Sequence, residues 1–179
     1  MNREGSVIDK LSGSELYSKQ WGQPTHDDTQ LFYLLTVGTF QAGLSWKMVT
    51  NKREVFLRNF HNMSIRDVAG MTEADVDNIL NDPEMIRNYR KIMATVINAQ
   101  AIVKIQAEYG SFARYLWEYV EGRPREIIYT HSDEISNVSP FASIVAKDLK
   151  KRGFKFVGPV VTYMFLKASG IVKDIVIDQ

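Results

Sequence analysis

The sequence predicts an all-α protein. Three observations carry this: apolar residues recur at three- and four-residue spacing through most of the chain, helix-capping residues precede these runs, and strand-like stretches are few and short. In "HDDTQLFYLLTV", Asp27, Asp28 and Thr29 stand ahead of Leu31, Leu34 and Leu35, a capped helix with its apolar stripe. Ser45 caps a second helix with Val49, Phe56, Leu57 and Phe60 on one side. Ser64 and Thr72 start two shorter helices, and "TEAD" at 72–75 has capping-box spacing. "NDPE" at 81–84 marks a turn, after which Ile86, Met93, Ile97 and Ile105 keep step with a long helix.

Gly110-Ser111 breaks that helix and opens "FARYLWEYV", which Gly122 and Pro124 end. "REIIYTHSDEIS" reads as a loop with a short extended piece. Ser139-Pro140 is a cap with a first-turn proline, and Gly153 closes the helix that follows. "GFKFVGP" is an extended connector. Pro159 opens a last helix that ends at Gly170.

Composition narrows the function classes. The 179 residues suit one domain or a closely joined pair, with 45% hydrophobic and 24% charged residues, enough for a sizeable core. A net charge of +1 announces no polyanion or anionic membrane, so any such binding must come from local patches. The absence of cysteine excludes disulfides, thiolate metal sites and a cysteine nucleophile. His26, His61 and His131 are scattered without metal-ligand spacing, and no phosphate-loop, GxSxG or dinucleotide motif occurs. Asp27 and Asp28 read as caps rather than acids. "MNREGSVIDK" is not built like a signal peptide, and no apolar run approaches the ~18 residues of a membrane span, so the expectation is a soluble cytoplasmic protein.

Three stretches can carry function, each with a plainer alternative. "VDNILNDPEMIRNYRKI" (76–92) joins a short helix to a long one through a tight corner, which can offer backbone N–H groups to a DNA phosphate, with Arg87, Arg90 and Lys91 beside it. It can equally be an ordinary turn between packed helices. "KDLKKRGFKF" gathers Lys147, Lys150, Lys151, Arg152 and Lys155 against Asp148 alone, which suits a phosphate backbone or a solvated helix end. In "LTVGTFQAGLSWKMVT" (35–50), Gly43 permits close approach, Leu44 can act as a wedge in a base stack and Trp46 can stack on a base; alternatively both are core residues.

Together, "FQAGLSW" (40–46), "KRE" (52–54), "IRN" with "KI" (86–92), "KKRGFKFVG" (150–158), Tyr163 and "WGQP" (21–24, against the family's "EWGVP") resemble DNA-3-methyladenine glycosylase I. The similarity runs in order along almost the whole chain. It implies a helix-hairpin-helix glycosylase, all-α, with two closely joined helical lobes, a DNA groove between them and the hairpin at roughly 72–107 of one domain spanning 1–179. Such enzymes flip a damaged base into a pocket and hydrolyse its N-glycosidic bond, here of an alkylated purine such as 3-methyladenine. The implied pocket residues are Tyr17, Trp21, Gly38, Gln41 and Trp46; those toward DNA are Gly43, Leu44, Arg87, Asn88, Lys91, Lys151, Arg152 and Lys155. The implied partner is double-stranded DNA containing a damaged base, bound by a monomer without a membrane.

The departures are specific. The family's base-reading glutamate is Gly38, so no catalytic residue is assigned. "RCGW" is "REGS", placing Glu4 and Ser6 at a cysteine and a tryptophan. "YHD" is "LYS", placing Leu16 at a base-stacking tyrosine and Tyr17 at a zinc-binding histidine, with Tyr17 able to supply an aromatic from the adjacent position. Ile175 stands at a second histidine and the last cysteine falls near Gln179, so all four zinc ligands are replaced and no cofactor is expected. The hairpin glycine is Glu84. These changes point to weak or altered activity, to a non-catalytic DNA- or nucleobase-binding relative, or to another small molecule in the old pocket.

Overall fold

The computed structural model describes residues 11–178, so the expectations for Glu4, Ser6 and Gln179 lie outside the described residues. Among these residues the order is α1 (Gly13–Gln20), α2 (Asp28–Gln41), α3 (Trp46–Asn51), α4 (Arg53–Asn59), α5 (Ile65–Ala69), α6 (Glu73–Leu80), α7 (Tyr89–Tyr109), α8 (Phe112–Glu118), β1 (Arg125–Tyr129), α9 (Pro140–Lys151), α10 (Pro159–Ala168) and β2 (Val172–Val176). The fold is the all-α one expected. No helix among the described residues is long and apolar enough to cross a membrane.

The caps act as the sequence indicates. Ser45 accepts from the Met48 amide, Ser111 from Arg114 and Ser139 from Ala142, while Thr72 and Asp75 form the reciprocal capping box of α6. Three features differ from expectation. "SGSE" at 12–15 is a second capping box and starts α1. The stripe from Val49 to Phe60 is two helices, because Lys52 (φ −89°, ψ 19°) turns the chain between α3 and α4. "REIIY" and "VKDIV" form a parallel pair, Arg125 opposite Val172 through Tyr129 opposite Val176; neither strand is stable without its distant partner.

Helix α2 organises the core. It is apolar nearly all round, the signature of a central helix, and Leu31, Phe32, Leu35 and Phe40 have no exposed surface. It packs on α3, α7, α8 and α10. Phe112 of α8 stacks on Phe154 and Phe165, closing the core at the other end. Asp27 caps α2 through the Gln30 amide at 2.8 Å. Asp28 instead reaches out of its own helix: its carboxylate accepts from the Phe112 amide (3.0 Å), the Ala113 amide (2.8 Å) and Gln106 Nε2 (2.8 Å), capping α8 across the molecule.

The "WGQP" loop after α1 is held against the end of α10. Gly22 and Thr25 amides donate to the carbonyls of Ala168 and Ser169, and Trp117 Nε1 donates to the Thr25 carbonyl. Gly170 makes this approach possible: its φ is +72°, and a β-carbon there would lie 2.5 Å from the Pro24 nitrogen. Gly170→Ala is expected to lower stability by about 2 kcal/mol or more, from backbone strain and displacement of residues 21–24 together. Urea unfolding measures it; a wild-type midpoint would mean that the loop yields freely.

Candidate functional site

An open pocket of 380 Å³ lies between α1, the start of the 21–24 loop, α2, α3 and α10, lined by Tyr17, Ser18, Trp21, Gln41, Trp46 and Met164. The volume is that of a small-molecule site. Its walls are aromatic. Trp46, half-buried at the first position of α3, faces Tyr17 with ring centroids 5.7 Å apart and planes tilted by 31°. Trp21 closes α1, donating its backbone N–H to the Tyr17 carbonyl, and leaves 42% of its surface exposed at the mouth. Tyr17 is buried, and burial first, then the Tyr33 phenol, pushes its pKa up to about 12, so its hydroxyl stays protonated at neutral pH. Gln41 Nε2 sits 3.7 Å from the Met164 sulfur, leaving the amide oxygen as a neutral acceptor.

Four of the five residues assigned to the base pocket thus come together. Gly38 does not line it. It lies one helical turn before Gln41, half-buried, and a β-carbon there would meet only Val161 Cγ1 of α10, at 3.4 Å. Ser18 and Met164 were missed; Met164 comes from α10, 123 positions from Gln41, with no local signal to mark it. Tyr163, quoted among the motif residues, is fully buried and donates its hydroxyl to Asp174 at 2.9 Å, away from the pocket lining.

Beside the pocket, the turn between α2 and α3 projects outward. Gly43 takes φ +79° and Leu44 is 37% exposed, with its amide on the Gln41 carbonyl. Leu44 is therefore no core residue, and it lies in the chain between Gln41 and Trp46, which both line the pocket.

The α6–turn–α7 corner (81–88) packs against this turn through Lys91. Two assigned residues need correction here. Lys91 was expected to present its charge beyond the corner, but its side chain is buried and its ammonium donates to the carbonyls of Phe40 (2.9 Å) and Ala42 (2.6 Å). It caps the C-terminus of α2, where a cation is favoured, and burial lowers its pKa. Arg152 was expected in the basic cluster, but its guanidinium is taken up by Glu108 (3.0 Å), Asp148 (3.3 Å) and the Tyr109 hydroxyl (3.0 Å), over the Tyr109 and Tyr115 rings. Asp148, which it pairs, also accepts from Tyr115 and Tyr119. Asn88 is the cap of α7, accepting from the Lys91 amide at 3.1 Å.

Arg87, Lys151 and Lys155 are exposed and make no ion pair among the described residues. Asn98 clamps the Lys155 backbone on both sides (2.8 and 3.1 Å), fixing that connector on α7.

Glu84, at the corner, is paired. Arg58 Nη2 of α4 bridges Asp82 (2.8 Å) and Glu84 (3.2 Å), and Lys52 Nζ donates to the Glu84 carbonyl at 2.7 Å. Arg58, with Asn59 and the Glu84 amide, pulls the Asp82 pKa down to about 2. Since Lys52 directly follows α3, these bonds tie the corner to the helix that carries Trp46.

The donor set does not fit a zinc ion at the two described positions where the resembling family has its histidines. Tyr17 is a protonated phenol in the pocket wall. Ile175 has an aliphatic side chain and lies opposite Ile128 in the sheet. The strand is instead held by Asp174, which accepts from Lys167 (3.0 Å) and Tyr163.

Comparison with known proteins agrees with this geometry. The sequence profile of the methyladenine glycosylase family matches residues 9–178. The chain is 36% identical over 161 residues to DNA-3-methyladenine glycosylase 1 of Escherichia coli strain K12, covering 90% of this chain and 86% of the other. A crystal structure of a tyrosine-to-phenylalanine variant of 3-methyladenine DNA glycosylase I in complex with 3-methyladenine superposes with a TM-score of 0.86 at 36% identity, over 95% of this chain and 92% of that one. The 3-methyladenine DNA glycosylase I of Staphylococcus aureus gives 0.86 at 37% identity, over 94% and 90%. With its aromatic pocket, projecting apolar turn and helical corner, this chain belongs to the methyladenine glycosylase family.

Proposed function

We infer that this chain is a DNA glycosylase that hydrolyses the N-glycosidic bond of an alkylated purine such as 3-methyladenine, with selectivity altered by the loss of the base-reading carboxylate. The observation that carries the reading is the pocket walled by Trp46, Trp21 and Tyr17 immediately beyond the exposed Leu44. A flipped purine can stack on an exposed aromatic face of this pocket, and Leu44 fills the gap that it leaves in the duplex. Alkylation at a ring nitrogen makes the base cationic, and electron-rich rings attract a cation.

The chemistry then asks little of side chains. The C1′–N bond of a cationic base is already weak; it breaks with its electron pair on the base, which leaves neutral, while water bonds to C1′ and gives its proton to solvent. Among the described residues no carboxylate lines the pocket, so none of these wall residues acts as a strong general base. Bases lacking a formal charge should therefore be poor substrates. Gln41, Ser18 and the Tyr17 hydroxyl supply the hydrogen bonds available to the base edge.

The test is base release from methylated duplex DNA by wild type beside Gly38→Glu. The added β-carbon makes only an ordinary contact with Val161, and leaving glycine inside α2 favours the helix by about 0.5–1 kcal/mol; circular dichroism on the same sample checks the fold of the variant. It is expected to release 3-methyladenine faster than wild type; an unchanged or slower rate would show that this position no longer addresses the base. The displacement of Gly38 from the lining favours a second reading, a non-catalytic DNA- or nucleobase-binding relative, which predicts duplex binding without release. We further propose that the protein acts as a cytoplasmic monomer, one glycosylase domain over 1–179 with its helix-hairpin-helix at roughly 72–107, and without the family's structural zinc.

A further inference from the structure

We propose that Arg58 is a DNA-positioning residue of this chain, holding Asp82 and Glu84 with one nitrogen and offering the rest of its guanidinium to a backbone phosphate. The inference rests on the glycosylase reading above and adds a phosphate contact on α4. Lys91 fastens the start of α7 to Ala42, so the 81–88 corner abuts the Gly43–Leu44 turn. A strand whose base has been displaced at Leu44 must pass this corner. Two carboxylates there would repel it.

The geometry shows how they are managed. Asp82 is fully engaged, by Arg58 Nη2, by Asn59 Nδ2 (2.8 Å) and by the Glu84 amide (3.0 Å). The Glu84 side chain is 65% exposed and its carboxylate has Arg58 alone, at 3.2 Å. Both contacts use Nη2. Among the described residues Nε and Nη1 of Arg58 have no partner, and its side chain is 53% exposed. Nε and Nη1 are left over on separate sides of the guanidinium, and each can give a single charge-assisted hydrogen bond to a phosphate oxygen. Asp82 thus anchors the arginine, Nη2 also pairs with Glu84, and the remaining donors are left for the strand.

The experiment is duplex binding over a salt series, with base release and thermal unfolding on the same samples. Arg58→Ala is expected to weaken binding about tenfold and make the slope of log affinity against log salt shallower by about one. Arg58→Lys should keep the slope while recovering only part of the affinity, since one compact ammonium cannot hold the carboxylates and reach a phosphate at once. Glu84→Gln should bind more tightly than wild type. Arg114→Ala, an exposed arginine of α8 paired with Glu118, should change neither quantity. Arg58→Ala with the wild-type slope, or Glu84→Gln with unchanged or weaker binding, overturns the proposal. If wild type binds and releases base while Arg58→Ala does so equally well, only this proposal falls; if wild type binds no duplex at all, the glycosylase reading falls with it.

Discussion

Trp46→Ala is expected to cut base release from methylated duplex DNA by about a hundredfold, the upper range of what one base–aromatic stack contributes. The indole is one wall of the pocket and packs beside Tyr17, so its removal takes away the stacking surface and admits water. Duplex binding should persist, because Leu44 and the exposed cations are untouched. Trp46→Phe should retain part of the activity, since a smaller ring still offers a face. Trp46 is only half-buried, so a folding defect is not the expected cause; circular dichroism on the same preparation separates the two. Release at the wild-type rate by Trp46→Ala would mean that the base is not bound here.

The largest expected effect on stability is at Asp28. Asp28→Ala should cost about 3 kcal/mol, because the Phe112 and Ala113 amides lose a charged acceptor in a partly buried place and Gln106 loses its partner. For a chain of this size that lowers Tm by roughly 6–12 °C. Asp28→Asn keeps the shape and one acceptor oxygen and should fall between. Its neighbour is the comparison: Asp27 makes a single exposed cap bond, and Asp27→Ala should cost about 1 kcal/mol. Equal losses at the two positions would contradict the assignment of Asp28 as the link between α2 and α8.

Both results bear on what the amino-acid order conveys. Capping residues and three-four spacing are local, so Ser45, Thr72, Ser111, Ser139 and the long α7 could be read directly. The same signal stood unread at α1, where "SGSE" repeats the capping-box pattern. The short extended piece in "REIIYTHSDEIS" was legible, but its pairing with "VKDIV" was not, because a five-residue strand has little preference of its own and waits for a partner. Asp27 and Asp28 look identical in sequence, yet one caps its own helix and the other caps α8.

By itself the sequence determined the helical class and most helix starts, and its family resemblance pointed to Tyr17, Trp21 and Trp46, which the structure brings to one pocket. Only the tertiary structure decided where long side chains end. Lys91 and Arg152 carry the same charge as Arg87 and Lys155, but their heads are drawn inward to carbonyls and carboxylates that other helices supply. A lysine or arginine reaches far enough to choose among partners, and those partners are set by packing between helices distant in sequence. Met164 entered the pocket, and Arg58 reached the corner, for the same reason.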